Sequence, residues 1–194
     1  LHDEVLPGLH AALLMVGGTE PSSEVVSLLS DTHHQIADLL HAMPTAAVPE
    51  VAHLGLIGAL RQTMDRELGS AFDEVVWEVS PEAEQQARAI PALTAEVLFY
   101  AAREAIRNAA RYGRDHDRAT PFHLRLGLAW RDGLELTVED DGVGMGGAQS
   151  ADGNSGQGLA LHTTMMAVIG GTLAVESIPG VYTRVTLTLP RESL

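Results

Sequence analysis

Apolar residues recur at helix spacing from the first residues of the chain. Val5, Leu9 and Leu13, with Leu6 and Met15 beside them, predict a helix over residues 1–16. Pro7 falls inside this pattern and kinks it. Gly17-Gly18 stops the run, and residues 19–23 form a turn. A second amphipathic helix is predicted over residues 23–42, with Val25, Leu28, Leu29, Ile36, Leu39 and Leu40 on its apolar side. Residues 44–49 open and close on proline and read as a linker. Two short antiparallel helices hold too little core to stand alone, so this hairpin gains by pairing with a second copy of itself.

Beyond the linker the period alternates between that of helices and that of strands. A helix is predicted over residues 51–68, then a strand over 74–79. Ser80-Pro81 is a cap followed by an N1 proline and opens a short helix. A longer helical run follows from Pro91 to about Tyr112. Strands over 122–131 and 134–139 are joined at Asp132-Gly133, a strong hairpin signal. A glycine-rich loop occupies 142–156, a helix follows to about Ile169, and strands over 172–178 and 182–189 flank Pro179-Gly180. Helices interleaved with hairpin-connected strands predict an α+β sandwich.

Composition removes whole classes of chemistry. The formal net charge is −14, which argues against nonspecific nucleic-acid binding, since that needs basic surface against phosphates. There is no cysteine, which excludes disulfides, thiolate metal sites and cysteine nucleophiles. There is no lysine either: all twelve basic residues are arginine. That excludes the P-loop lysine, the strand lysine of protein kinases and Schiff-base chemistry. No apolar run approaches the roughly 20 residues of a membrane span.

Three segments remain as candidates for chemistry. Glu104 and Asn108 are four apart and share a helix face, with Ala101, Ala105 and Ala109 leaving room for a partner. Asn108 offers a neutral oxygen that suits Mg²⁺, an ion that takes most of its other ligands from water and phosphate. Glu104 is placed to act as a base or to polarise a water. Asp140 ends a strand, where a carboxylate accepts a hydrogen bond from an exocyclic amine such as that of adenine. Gly142 and Gly144 allow a ligand close to the backbone. Gly156 and Gly158 precede a helix whose free N–H groups suit phosphate, and the small residues of 146–155 could close over a ligand. Each segment alone also fits a bland role, as a solvated polar pair, a turn or a connection. Gly142 to Gly147 matches the GxGxxG pattern, but no helix follows it directly, and His162, Thr163 and Thr164 stand where the acidic residue of a dinucleotide site belongs. His2-Asp3 is a further candidate, an imidazole nucleophile with an adjacent carboxylate for its second ring proton.

Taken in order, these segments resemble the GHKL ATPase superfamily and, within it, the sensor histidine kinases of bacterial two-component systems. Glu104-Ala-Ile-Arg-Asn108 is similar to the N box, Asp140-Asp-Gly-Val-Gly144 to the G1 box, and Gly156-Gln-Gly-Leu159 to the G2 box. Thr183 matches the late Gly-Thr strand motif, although Tyr182 stands where the family usually has glycine. Leu1-His2-Asp3-Glu4-Val5-Leu6 resembles the phosphoacceptor motif of the nitrate-sensor and thermosensor type, with Pro7 where that group has the glutamine that supports phosphatase activity.

The resemblance implies a Bergerat-type α/β sandwich over residues 49–194, preceded by a hairpin over 1–48 that pairs into a four-helix dimerisation bundle. It implies that the hairpin is truncated at its start and that the chain is the cytoplasmic part of a longer sensor. Any membrane segments would lie upstream of it. It implies ATP and Mg²⁺ as cofactors. Asp140 would hold adenine, Asn108 the metal, and Gly142, Gly144, Gly156, Gly158, Leu159 and Thr183 would shape the pocket and lid. Glu104 would assist catalysis, and Arg107, Arg111 and Arg114 are candidates to face phosphates. The γ-phosphoryl group would pass to His2, with Asp3 assisting, and then to an Asp of a response-regulator receiver domain. The implied partners are a second copy of the chain and that receiver, with no direct contact to nucleic acid. Two other readings stay open, an ATP-binding dimeric regulator without phosphotransfer and a GHKL ATPase.

Overall fold

In a computed structural model, residues 49–114, 120–144 and 157–193 are described. The hairpin expected over 1–48, with His2 and Asp3, lies outside the described residues, as do Gly156 and most of the loop that precedes it.

The elements follow the predicted order. Helix α1 spans Pro49–Thr63 and continues as a π-helical turn, Met64–Leu68, and a short 3₁₀ turn, Gly69–Ala71. Strand β1 is Glu74–Val79 and helix α2 is Pro81–Ala87. Helix α3, Ala92–Asn108, runs into a π-helical turn, Ala109–Gly113. Strands β2, His123–Trp130, and β3, Gly133–Asp140, form the expected hairpin. Helix α4 is Gln157–Val168, and β4, Thr172–Ile178, and β5, Tyr182–Pro190, close the fold.

Local chemistry sets one boundary directly. Ser80 caps α2, its hydroxyl accepting from the Ala83 N–H at 3.1 Å with Pro81 in the first turn. Two features depart from the expected continuous helices. Gly55, at φ 71° and ψ 173°, breaks α1 in a conformation that a side chain would resist. The long helix changes to π geometry directly after Asn108, so the candidate Glu104/Asn108 pair sits just before a wider turn.

The sheet has five strands in the order β1-β2-β3-β5-β4; β1 and β2 are parallel and every other neighbouring pair is antiparallel. Alternation in the central strands gives the sheet one covered face. Leu124, Leu126 and Leu128 of β2, Leu134, Leu136 and Val138 of β3, and Val185, Leu187 and Leu189 of β5 are all buried. Helix α3 packs on β3 and β5, with α1 and α4 against its sides. Ala101, Ala102 and Ala105 are buried along α3, where small side chains let other backbones approach closely.

The opposite face carries charge in place of helices. Arg125, Glu139, Arg184 and Glu176 stand in register across β2, β3, β5 and β4. Arg125 pairs with Glu78 of β1 at 3.4 Å and with Glu139 at 3.1 Å. Arg184 donates to Glu139 at 2.6 Å and reaches Glu176 at 3.8 Å. An alternating ladder Glu-Arg-Glu-Arg-Glu thus crosses all five strands. It keeps the uncovered face solvated while opposite charges sit side by side on neighbouring strands. Among the described residues, no helix is long and apolar enough to cross a membrane.

Candidate functional site

Asp140, Gly142, Gly144 and Thr183 gather where β3 and β4 finish and β2 and β5 begin, against the π turn that follows α3. Asp140 is the last residue of β3 and faces the covered side in line with Leu134, Leu136 and Val138. At 5% exposure it is among the few buried polar residues. Its Oδ1 accepts from the Gly142 N–H at 3.1 Å. Burial pushes its carboxyl up to about 6, opposed by that hydrogen bond and reinforced by the neighbouring charges of Asp141 and Glu139. A carboxylate held in this way has unmet acceptor capacity and gains from a ligand that brings a donor.

The backbone around Asp140 is stitched on both sides. The Val143 N–H donates to the Gly113 carbonyl at 2.8 Å, tying the loop after β3 to the π turn that ends α3. The Gly180 N–H donates to the Val143 carbonyl at 2.8 Å, tying the same loop to the β4–β5 turn. Glycine is required at these approaches. A Cβ on Gly142 would collide with the Gly113 carbonyl and come within 2.8 Å of Asp140 Oδ1. Gly144 adopts φ +72°, with the Ile178 carbonyl and Pro179 at 2.9 Å from where a Cβ would stand. These glycines therefore let the loop after β3 pack directly on the Gly113 backbone, Asp140 and the β4–β5 turn.

Sequence reasoning missed several supporting residues. A Cβ on Gly113 would strike the Phe122 ring and stand 3.1 Å from Asp140 Oδ1, so this glycine admits the carboxylate. Asp73 accepts from the Phe122 N–H at 2.8 Å and from Arg114 at 2.9 Å, and these bonds hold its carboxyl below the usual range. Asp141 accepts from the His123 N–H at 2.6 Å and meets His123 Nδ1 at 2.6 Å, pinning the exit of β3 to the entrance of β2. Lone Asp and His residues far apart in sequence carry no signal of such pairing. Only Gly113, at the end of a helical run, was open to suspicion as a helix terminus.

Glu104 and Asn108 lie on successive turns of α3 as expected. Glu104 contacts Arg107 at 3.7 Å. Asn108 is half-buried, and its Nδ2 is enclosed without a hydrogen-bond partner among the described residues. A Mg²⁺ ion that takes most of its shell from phosphate and water needs no more than one protein oxygen such as that of Asn108. Among the described residues no three acidic or histidine side chains cluster to hold a metal.

Of the three arginines proposed to face phosphates, Arg114 is committed elsewhere, to Asp73, the Ala71 carbonyl and the Phe122 ring. Arg111 lies over the Tyr112 ring, and Arg107 is exposed beside Glu104. Thr183, at the start of β5, stands directly opposite Asp140. Leu159 is buried in the first turns of α4, which Gly158 also enters, and Gly156 lies outside the described residues. His162, one turn beyond Leu159, is buried; its Nδ1 has no partner among the described residues, and burial lowers its pKa.

No curated protein matches the sequence significantly. Solved structures do share its fold. The histidine kinase domain of the blue-light activated histidine kinase of Erythrobacter litoralis EL346 is 20% identical, with a TM-score of 0.52; the match covers 96% of this chain and 83% of that one. A second structure of that kinase is 19% identical, with a TM-score of 0.57; the match covers 99% of this chain and 60% of the other, so this chain spans less than two thirds of it. At such identity the likeness is one of fold, here the Bergerat-type sandwich. Residues 94–193, from the start of α3 through the last strand, match the family described as histidine kinase-, DNA gyrase B-, and HSP90-like ATPases. That segment holds Glu104, Asn108, Asp140 and Thr183 together, and the chain belongs to this ATPase family.

Proposed function

We propose that this chain is the catalytic core of a two-component sensor histidine kinase that binds ATP with Mg²⁺ in the pocket beside Asp140. The observation that carries this reading is the buried Asp140 carboxylate, poised at a strand end between two backbone loops, in a chain of this ATPase family. Ionised Asp140 accepts from the exocyclic amine of adenine. Asn108 offers its oxygen to Mg²⁺, and Gly142 and Gly144 let the nucleotide lie against the backbone. Gly156, Gly158 and Leu159 belong to the loop and helix start that would cover the phosphates.

The bound metal supplies charge neutralisation along the phosphates. The chain supplies position, which is most of what phosphoryl transfer asks of a protein. In the transfer, a His2 ring nitrogen forms a bond to the γ-phosphorus as the bond to the β–γ bridging oxygen breaks, and ADP leaves. Asp3 takes or orients the proton of the other ring nitrogen, and Glu104 assists from the N-box helix. The phosphoryl group then passes from His2 to an Asp of a receiver domain, and the hairpin over 1–48 pairs with that of a second copy.

Pro7, close to the acceptor histidine, favours a second reading, an ATP-binding dimeric regulator without phosphotransfer. Incubation with ATP labelled at the γ-phosphate separates the two. The kinase reading expects acid-labile, base-stable label on the chain that His2→Ala removes. Nucleotide binding without such label would favour the regulator. Steady phosphate release unaffected by His2→Ala would instead point to an ATPase with Glu104 activating water.

A further inference from the structure

Asp73, in the bend before β1, holds together pieces of chain that meet beside Asp140. Its N–H donates to the Phe122 carbonyl at 2.8 Å, and its Oδ2 accepts from the Phe122 N–H at 2.8 Å. Phe122 is therefore held at both of its backbone polar groups. The same Oδ2 accepts from Arg114 Nη2 at 2.9 Å, and that nitrogen also donates to the Ala71 carbonyl at 3.0 Å. One carboxylate oxygen thus ties the residue that ends the π turn after α3 to the residue that precedes β2.

Both residues that Asp73 holds bear on Gly113. Arg114 follows it in the chain. The Phe122 ring packs against it: a Cβ on Gly113 would stand 2.4 Å from Phe122 Cζ and 3.1 Å from Asp140 Oδ1, so ring and carboxylate close on the same side of this glycine. The ring is itself held, stacked on Phe72 with centroids 5.2 Å apart and lying 5.4 Å beneath the Arg114 guanidinium. The Gly113 carbonyl accepts from the Val143 N–H at 2.8 Å, in the loop that carries Gly142 and Gly144. A continuous set of contacts therefore runs from Asp73 through Phe122 and Arg114 to Gly113, and from there to Asp140 and Val143.

We infer that Asp73 is a positioning residue for the nucleotide site: by holding Phe122 and Arg114 it fixes Gly113, and so keeps Asp140 and the loop after β3 where the ligand needs them. The inference rests on the nucleotide-binding reading above. Magnitudes favour this role over a contribution to stability. The Asp73 side chain is 49% exposed, and an ion pair so open to water adds little to folding. A binding site, by contrast, weakens when its supporting residues let it shift by as little as about 1 Å. The bond from the Phe122 N–H asks only for an acceptor oxygen, which an asparagine at this position also supplies.

The test compares wild type, Asp73→Ala and Asp73→Asn by calorimetric titration with Mg²⁺–ADP and by backbone amide hydrogen exchange followed by NMR. In Asp73→Ala the affinity for ADP should fall by about tenfold, the scale of one charge-assisted hydrogen bond. The Val143 amide, bonded to Gly113, should exchange about tenfold faster, while amides that pair β2 with β3 toward Trp130 and Leu134 keep their wild-type rates. Asp73→Asn should stay within about twofold of wild type in both measurements, because it keeps the acceptor oxygen. Unfolding of Asp73→Ala, or exchange that rises equally at Val143 and in the β2–β3 pairs, would show a structural role alone and overturn the inference. An unchanged ADP affinity or an unchanged Val143 rate in Asp73→Ala would also overturn it, as would an Asp73→Asn chain as weak as Asp73→Ala. In each of these cases wild type still binds ADP and the nucleotide site stands. Failure of folded wild type to bind Mg²⁺–ADP would overturn the site itself, and the role of Asp73 with it.

Discussion

Asp140 accepts a 3.1 Å hydrogen bond from the N–H of Gly142, and the carboxylate that receives it is buried at the end of the central strand β3. One backbone donor does not offset the burial of a charge, so folding raises this carboxyl from 3.8 to about 6. Between those values the folded chain holds the proton more tightly than the unfolded chain. The stability this provides is complete below pH 3.8 and is lost as the pH rises through about 6. At neutral pH the ionised carboxylate is therefore a cost to the unliganded fold, on the order of 3 kcal/mol. Asp140→Asn keeps an oxygen for Gly142 and removes the charge. It should melt higher than wild type near neutral pH, with the gap closing in acid, as followed by thermal unfolding across pH. A variant that melts lower than wild type at neutral pH would contradict this.

Nucleotide affinity should carry the opposite dependence. An amine donor needs the ionised acid, so binding should weaken as the pH falls through about 6. Titrating the chain with ADP at a series of pH values checks this, and an affinity flat across that range would count against Asp140 as the acceptor.

Gly113 and Gly142 face each other across the Val143–Gly113 hydrogen bond. Gly113→Ala puts a methyl into the Phe122 ring and beside Asp140, which should cost about 2 kcal/mol or more. It should also weaken nucleotide binding. Gly180→Ala is the contrast: its Cβ would meet nothing within 4 Å, so only its φ of +71° is strained, at about 1 kcal/mol. Denaturant melts of the two variants should rank in that order.

Glu139 is the hinge of the charge ladder on the open face, since both Arg125 and Arg184 meet it. Glu139→Gln should destabilise the fold by about 1 kcal/mol, more than an isolated surface pair would. The difference from wild type should shrink in high salt. Equal differences at low and high salt would show that the ladder's charges contribute little.

His162 is buried in α4, and burial lowers its pKa, so the fold holds it neutral. Below the ordinary histidine value of 6.5 the unfolded chain takes up a proton that the folded chain resists, and stability falls as the pH drops. His162→Leu should remove that part of the acid sensitivity. Melting temperatures in mild acid and near neutrality, for both chains, check it.

Much of this architecture can be read from the chain because its signals are local. Strands β2 and β3 alternate cleanly around Asp132-Gly133, and Ser80-Pro81 marks the start of α2 with a cap that forms. The charge ladder shows how far alternation reaches. Arg125, Glu139, Arg184 and Glu176 occupy solvent-facing positions that strand periodicity assigns, but their pairing needs the register, which sequence alone leaves open. Glu104, Asn108, Asp140 and Gly142 were visible as motif residues because their roles ask for particular residue types at short spacing. Asp73, Asp141, His123 and Gly113 were not, because each acts through a partner brought close only by the fold. Arg114 shows the converse: its place near the N box suggested phosphate, and its actual partners are Asp73, a carbonyl and a ring. The break at Gly55 and the π turn after Asn108 arise from backbone choices that a hydrophobic pattern does not encode.

The most direct test of the central claim is calorimetric titration of the folded chain with Mg²⁺–ADP, beside the same titration of Asp140→Asn. Saturable binding to wild type that Asp140→Asn abolishes, in a variant that melts no lower at neutral pH, is the predicted result. Equal binding by the two chains, or none by a well-folded wild type, would contradict a nucleotide site built on Asp140.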